Sequence, residues 1–342
     1  MKFGDSLRNL QKKDIHVTVL TNAIVDILAH VEDTFLETHG IQKGGYRIIS
    51  KKEMESLYEK IPPAIEQSGG SLANTAATFS LMGGKACCLA KVTDDAFGRI
   101  FLHDMRAAGV NFPLLPAQSL DATGRSIILI DEQGDRSMNT NLGSSIDLYP
   151  HDLCLESIKN AHILCVEGYF WSHEGPKLSV YHAIETAKQA ETLIAFGLSS
   201  VWCVEKFGEE FLSLMNGSID ILLGNEREYM ALFKMPLEEI ILQLSTMSIL
   251  AVITRGNQGS IIVNRSEILY IPPTHPERCI DATGAGDAYA SGFLYGLTHR
   301  LDLKESGTLG SLVASLTIAH VGARPERLAI KEMMRKAGLK SE

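Results

Sequence analysis

The chain has 342 residues, 45% of them hydrophobic and 21% charged, the balance of a globular protein with a large core. Its formal net charge of −9 argues against non-specific binding to nucleic acid or to an anionic membrane, which needs a basic face. An anionic ligand must therefore be met by local donors or a metal, against the field of the whole molecule.

The opening MKFGDSLRNLQKKDI carries charges but no apolar h-region, and no run of about eighteen apolar residues occurs, so neither a secretory signal nor a membrane span is expected. Strand-like runs at 15–20, 87–92, 126–130, 162–167, 192–196, 220–224 and 250–255 alternate with helix-period stretches at 71–82, 95–108, 176–190, 226–234 and 303–319. That rhythm predicts an α/β fold, a mainly parallel sheet with helices on both faces and ligands gathered beyond the C-terminal strand ends. Segments 31–50 and 111–145 break the rhythm with turn signals and short β-prone pieces. They read as lid segments inserted in a single domain spanning 1–342, placed to keep water off a reactive donor. The six cysteines (Cys87, Cys88, Cys154, Cys165, Cys203 and Cys279) lack C-x-x-C spacing, which fits free thiols in a reducing, cytoplasmic setting.

Candidate binding residues follow the strands. Asn22 and Asp26, in TNAIVDI, stand just past the first strand, where a carboxylate can accept hydrogen bonds from vicinal hydroxyls; a loop Asn and a solvated Asp are the plainer alternative. In SGGSLANTAAT, Gly69 and Gly70 bring backbone close to a ligand, and Asn74 offers both a donor and an acceptor to a sugar hydroxyl. Ser71 as a simple helix cap is the competing account of that stretch. Arg136 is a lone arginine beside the second lid segment that could offset phosphoryl charge. Tyr169, with Phe170 and Trp171, stands at a strand end where it could wall a base or sugar, although core packing is the commoner use of such rings. Asn225 and Glu228 form N-x-x-E after another strand; they could supply oxygen ligands to Mg²⁺ or merely make a capping box. The scattered histidines, His103 and His162 among them, contain no H-E-x-x-H and read as structural.

The most specific stretch is DATGAGDAYASG at 281–292. Gly284, Ala285 and Gly286 read as a turn opening a small-residue helix, whose first amides and positive dipole end favour an anion. Yet Asp287 stands in the same first turn. A dinucleotide fingerprint is excluded because Tyr289 occupies the third small-residue position, and no Walker A loop occurs, Gly84-Lys85 being followed by Ala86. The first point lowers a nicotinamide oxidoreductase as a reading, and the presence of Asp287 argues against a protein that only senses nucleoside or ATP.

In this order, NAIVD, SGG-x-x-x-NT, N-x-x-E and DATGAGD resemble the PfkB (ribokinase-like) carbohydrate and nucleoside kinases, from about residue 17 to the GARP run at 322–325. NAIVDILA, EGY at 167–169 and MNTNLG at 138–143 are most similar to the bacterial adenosine kinase branch. The resemblance implies a ribokinase-like three-layer sandwich with a small β lid. It also implies transfer of the γ-phosphoryl group of ATP to a primary hydroxyl, the 5′-OH of adenosine giving AMP in purine salvage. Another nucleoside, ribose or fructose is the alternative acceptor. Asp287 then corresponds to the catalytic base, and Gly284, Ala285 and Gly286 to the anion hole. Asn22, Asp26, Gly70, Asn74 and Tyr169 fall on the acceptor side; Arg136, Asn225, Thr254, Gly256 and Gly259 fall on the phosphate and ATP side. Glu228 would hold Mg²⁺ through water, and a monovalent cation such as K⁺ often accompanies the family's anion hole. A monomer or homodimer acting on small molecules is expected. Two positions depart from the branch: Ser200 in Leu198-Ser199-Ser200, where an Asp is frequent, and Tyr46, where an aliphatic residue or Met is common.

Overall fold

The computed structural model describes residues 13–114, 117, 121–265, 267–276 and 278–339. Most of the N-terminal stretch and positions 115, 116 and 118–120 of the second lid segment therefore lie outside the described residues.

Two sheets organise the chain. The larger has eight strands in the order β13-β12-β11-β10-β9-β8-β1-β5. These are β1 (Ile15–Leu20), β5 (Ala86–Leu89), β8 (Ala161–Glu167), β9 (Leu193–Gly197), β10 (Ile221–Asn225), β11 (Leu250–Thr254), β12 (Ser260–Asn264) and β13 (Glu267–Ile271). From β5 to β11 every pairing is parallel, and β12 and β13 close one edge as antiparallel strands. The parallel strands are nearly all apolar because both faces are covered. Val17, Val19, Cys165 and Val252 pack against Phe79, Phe293 and Leu309 on one side. Leu20, Val166, Phe196 and Ile253 pack against Trp171, Phe211 and Leu244 on the other. A three-layer α/β sandwich results, as expected. The hairpin β12–β13 is an addition that the βαβ reading did not contain.

The smaller sheet has the order β3-β7-β6-β2-β4, built from β2 (Ile24–His30), β3 (Tyr46–Ile48), β4 (Ile65–Gly69), β6 (Gly124–Ile130) and β7 (Arg136–Asn141). It thus draws strands from 24–30 and 65–69 as well as from the two turn-rich segments, and it claims the apolar run at 126–130. Side chains alternate across it. Ile27, Ala29, Ile127 and Leu129 pack on Leu36, Met54 and Leu57 of two short helices. The opposite face follows from the register: Leu28, Ile128, Met138 and Tyr46 form one row, and Asp26, Ser126 and Thr140 the next. All six cysteines are free thiols, Cys279 exposed and four buried. Among the described residues no helix is long and apolar enough to cross a membrane.

Candidate active site

The chain passes from the large sheet to the small one through Thr21-Asn22-Ala23, and a single buried carboxylate holds that crossing. Glu167, at the end of β8, accepts from Thr21 Oγ1 (2.9 Å), Asn22 N (3.0 Å), Asn22 Nδ2 (3.2 Å) and Leu72 N (3.2 Å). Burial raises its carboxyl to about 7 despite those donors. Asn22 is therefore committed to Glu167. Asp26 lies inside strand β2 and is 8% exposed, so the solvated-loop alternative is excluded. Burial lifts its pKa to about 7, with Arg324 and Arg136 pulling down and Asp287 pushing up.

Gly70 precedes the Ser71–Leu81 helix with φ +96, and a Cβ there would stand 2.3 Å from the Asn22 carbonyl oxygen. Only glycine allows the helix start to come that close. Ser71 does not cap this helix. Its hydroxyl instead donates to Asp287 Oδ1 at 2.7 Å, while Asn74 Nδ2 reaches Asp287 Oδ2 at 3.2 Å. Thr75 Oγ1 adds a bond to the Asp287 carbonyl at 3.2 Å.

The glycine turn packs directly on those groups. Gly284 has φ +73 and starts the Ala285–Thr298 helix, and a Cβ on it would fall 2.2 Å from the Ala323 carbonyl oxygen. Gly286, by contrast, faces open space. The Ala285 amide donates to Ala282 O at 3.3 Å, while the first-turn amides of Gly286 and Asp287 have no acceptor four residues back in the helix, the feature that favours an anion at a helix start. Asp281 anchors the loop: Oδ1 accepts from Thr283 N at 2.9 Å and Oδ2 from Gly322 N at 2.6 Å. Arg136, leaning in from β7, pairs with the same Asp281 carboxylate. Its Nη1 is buried with no partner among the described residues. Arg136 thus sits at the rim of the turn, engaged by protein. Asp287 is half-buried; burial raises its carboxyl to about 6, while Ser71, Asn74 and Arg324 hold it down.

At the end of β10, Asn225 caps the Glu226–Phe233 helix in a full capping box with Glu228. Both Glu228 oxygens face Asn225, Oε2 accepting from its N–H (2.9 Å) and Oε1 from its Nδ2 (2.7 Å). The carboxyl is raised to about 7 by burial, opposed by those bonds and reinforced by Asp287. A cation between Glu228 and the turn would relieve both acids. No cluster of three or more His, Cys, Asp or Glu exists among the described residues to grip one. That donor set fits Mg²⁺ held mainly by water and substrate phosphate.

Thr254 pairs in register with Asn225, and Gly256 borders open space in the turn that follows. Gly259 serves the fold instead, since a Cβ there would stand 2.0 Å from the Ile271 carbonyl oxygen. Tyr169 is partly buried, its hydroxyl donating to Ser199 O at 3.3 Å, whereas Phe170 and Trp171 belong to the core. Burial pushes the Tyr169 phenol up, whereas Tyr46 is 45% exposed. His103 is exposed.

Asn22, Asp26, Gly70, Asn74, Arg136 and the glycine turn with Asp287 therefore converge, and Asn225, Glu228 and Thr254 flank them. Sequence reasoning missed Glu167, Ser71, Asp281 and Arg324 as contributors. Glu167 carried a faint signal, a lone acid ending an apolar strand.

An α/β sandwich with a half-buried carboxylate beside a glycine turn at a helix start is an arrangement that suits a phosphotransferase with an alcohol acceptor. Residues 62–328 match the pfkB family carbohydrate kinases, and the chain belongs to that family. The structure superposes on a probable sugar kinase from Rhizobium etli CFN 42 with TM-score 0.90 and 36% identity, over 96% of this chain and 100% of that one. An adenosine kinase from Sinorhizobium meliloti gives TM-score 0.89 and 38% identity over the same shares, 96% and 100%. A 5-dehydro-2-deoxygluconokinase of Bacillus subtilis (strain 168) is 28% identical over 73% of this chain and 80% of its own length. Membership makes the chain a sugar or nucleoside kinase using ATP with Mg²⁺.

Proposed function

We propose that the chain transfers the γ-phosphoryl group of ATP to the 5′-OH of adenosine, giving AMP. The observation that carries the transfer is Asp287, held from one side by Ser71 and Asn74 and adjoining the open approach over Gly286. Adenosine as acceptor is supported by the likeness to the Sinorhizobium enzyme along nearly the whole chain.

In this reading Asp26 and Asn74 hold the acceptor's hydroxyls, and Gly70 lets the helix that carries Asn74 start against the Asn22 carbonyl. The amides of 284–287 receive the migrating phosphoryl oxygens, with Arg136 at their rim. Glu228 and Asn225 would hold Mg²⁺ through water, and the ion would supply charge neutralisation at the donor phosphates. Thr254 and Gly256 border the nucleotide. Asp287, with its carboxyl near 6, cannot deprotonate an alcohol beforehand. It accepts the proton as the P–O bond forms, a contribution of about 10²–10⁴ in rate. The small sheet, with segments 31–50 and 111–145, closes as a lid and keeps water from the donor.

The test is ADP release from MgATP with a panel of acceptors: adenosine, inosine, ribose, fructose and a 2-deoxygluconate derivative. Adenosine should give the highest kcat/KM. A sugar exceeding it tenfold would overturn the acceptor assignment and leave the transfer chemistry standing.

A further inference from the structure

One polar group in contact with the shell of Asp287 comes from a segment outside the catalytic motifs. Gly322-Ala323-Arg324 follows the Leu303–Thr317 helix and runs along the glycine turn. The Gly322 amide donates to Asp281, the Ala323 carbonyl fills the space over Gly284, and Arg324 turns inward. Its Nε donates to Asn74 Oδ1 at 3.0 Å and its Nη1 to Ser68 Oγ at 2.8 Å. Its Nη2 lies 3.8 Å from Met105 Sδ.

We propose that Arg324 is the positioning residue for Asp287, acting through the Asn74 side chain. An asparagine amide has one accepting and one donating end, and an arginine can only donate. Arg324 therefore takes the Asn74 oxygen, which leaves the NH₂ for the Asp287 carboxylate. The chain of bonds has one polarity, from Arg324 through Asn74 to Asp287, and that polarity suits an ionised base. Without Arg324 the amide can turn over and offer its oxygen to Asp287, an arrangement that favours the protonated acid. Charge works in the same direction. Asp287 in turn raises the carboxyls of three neighbours: Asp26 from β2, Glu167 from β8 and Glu228 from the Glu226–Phe233 helix. Arg324 is the cation that lowers the Asp287 carboxyl, adding to the bonds from Ser71 and Asn74, and it also feels Asp104 and Asp26. Asp281 on the same loop is matched separately by Arg136. The catalytic meaning of this arrangement rests on the kinase reading, whereas the hold on Asp287 does not.

The experiment follows the Asp287 carboxyl directly, by ¹³C NMR of the full chain labelled at aspartate Cγ and assigned with Asp287→Asn. Arg324→Gln should move its titration upward by about one pH unit or more, the size expected when a nearby opposite charge is lost. Arg324→Lys, which keeps the charge and can still donate to Asn74, should stay within about half a unit of wild type. In the kinetic arm, Arg324→Gln should shift the acid limb of kcat upward by the same amount, so that activity lost near neutrality returns at high pH. A loss uniform across pH, or an unmoved Asp287 titration, would overturn the proposal. If Arg324→Gln does not fold, Asn74→Ala breaks the same chain and must move the titration in the same direction, or the proposal fails. A moved titration in a protein that releases no ADP with any acceptor would refute the kinase reading and leave the positioning role intact.

Discussion

Asp26→Asn separates what the cleft does for the fold from what it does for a ligand. Asp26 is 8% exposed, within strand β2. Its pKa rises from 3.8 to about 7, with burial the largest cause. Between those values the folded protein keeps the proton while the unfolded chain has lost it, so stability falls as pH rises through the window. Above pH 7 the charge costs the folded apo-protein its full penalty. A rise of about three pH units at about 1.4 kcal/mol each sets an upper bound of about 4 kcal/mol. Arg324 and Arg136 lie near enough that removing the carboxylate also removes some attraction, so a gain of about 2 kcal/mol is the working figure. At about 2–4 °C per kcal/mol for large domains, Asp26→Asn should raise Tm at pH 8 by on the order of 5 °C. The gain should shrink towards zero as pH falls to 4. The assay is differential scanning fluorimetry from pH 4 to 8, with and without adenosine. Adenosine should stabilise wild type by mass action and the variant much less, because the variant lacks a carboxylate for the hydroxyls. A variant no more stable than wild type at pH 8, or a gain equal at every pH, would refute the reasoning. An undiminished adenosine shift would move the sugar site elsewhere.

Asp287→Asn should lower kcat by about 10²–10⁴ while MgATP still binds; near-wild-type ADP release in a coupled assay would remove Asp287 from the mechanism. The two glycines of the turn should answer alanine in opposite ways. Gly284→Ala meets both a positive φ and the Ala323 carbonyl, and should cost more than about 2 kcal/mol in a urea titration. Gly286→Ala has room, so it should fold within about 0.5 kcal/mol of wild type while its methyl obstructs phosphoryl approach and depresses kcat/KM for MgATP. Equal effects on stability would show that the turn does not pack as described.

What the sequence made legible was whatever is encoded locally. The βαβ alternation carries hydrophobic runs at fixed spacing, so β1, β8, β10 and β11 could be placed within a residue or two. The same signal could not say which sheet a run joins. Residues 126–130 look like any buried strand, yet β6 pairs with β2 and β7 in the small sheet. The reason is that Thr21-Asn22-Ala23 diverts the chain there, and the acid that holds this crossing, Glu167, lies 145 residues away from Asn22. The glycine turn was legible because close backbone approach restricts several adjacent positions at once. Arg324 was visible only as part of the GARP run and without a role, since its partner Asn74 lies 250 residues earlier. The two kinds of information meet at Asp287. Its neighbouring glycines declare an anion site in the sequence itself, whereas its three acidic neighbours and its one cation assemble only when the chain is folded. A carboxylate near 6 at a helix start is thus a property of the whole cleft, and the local motif supplies only its address.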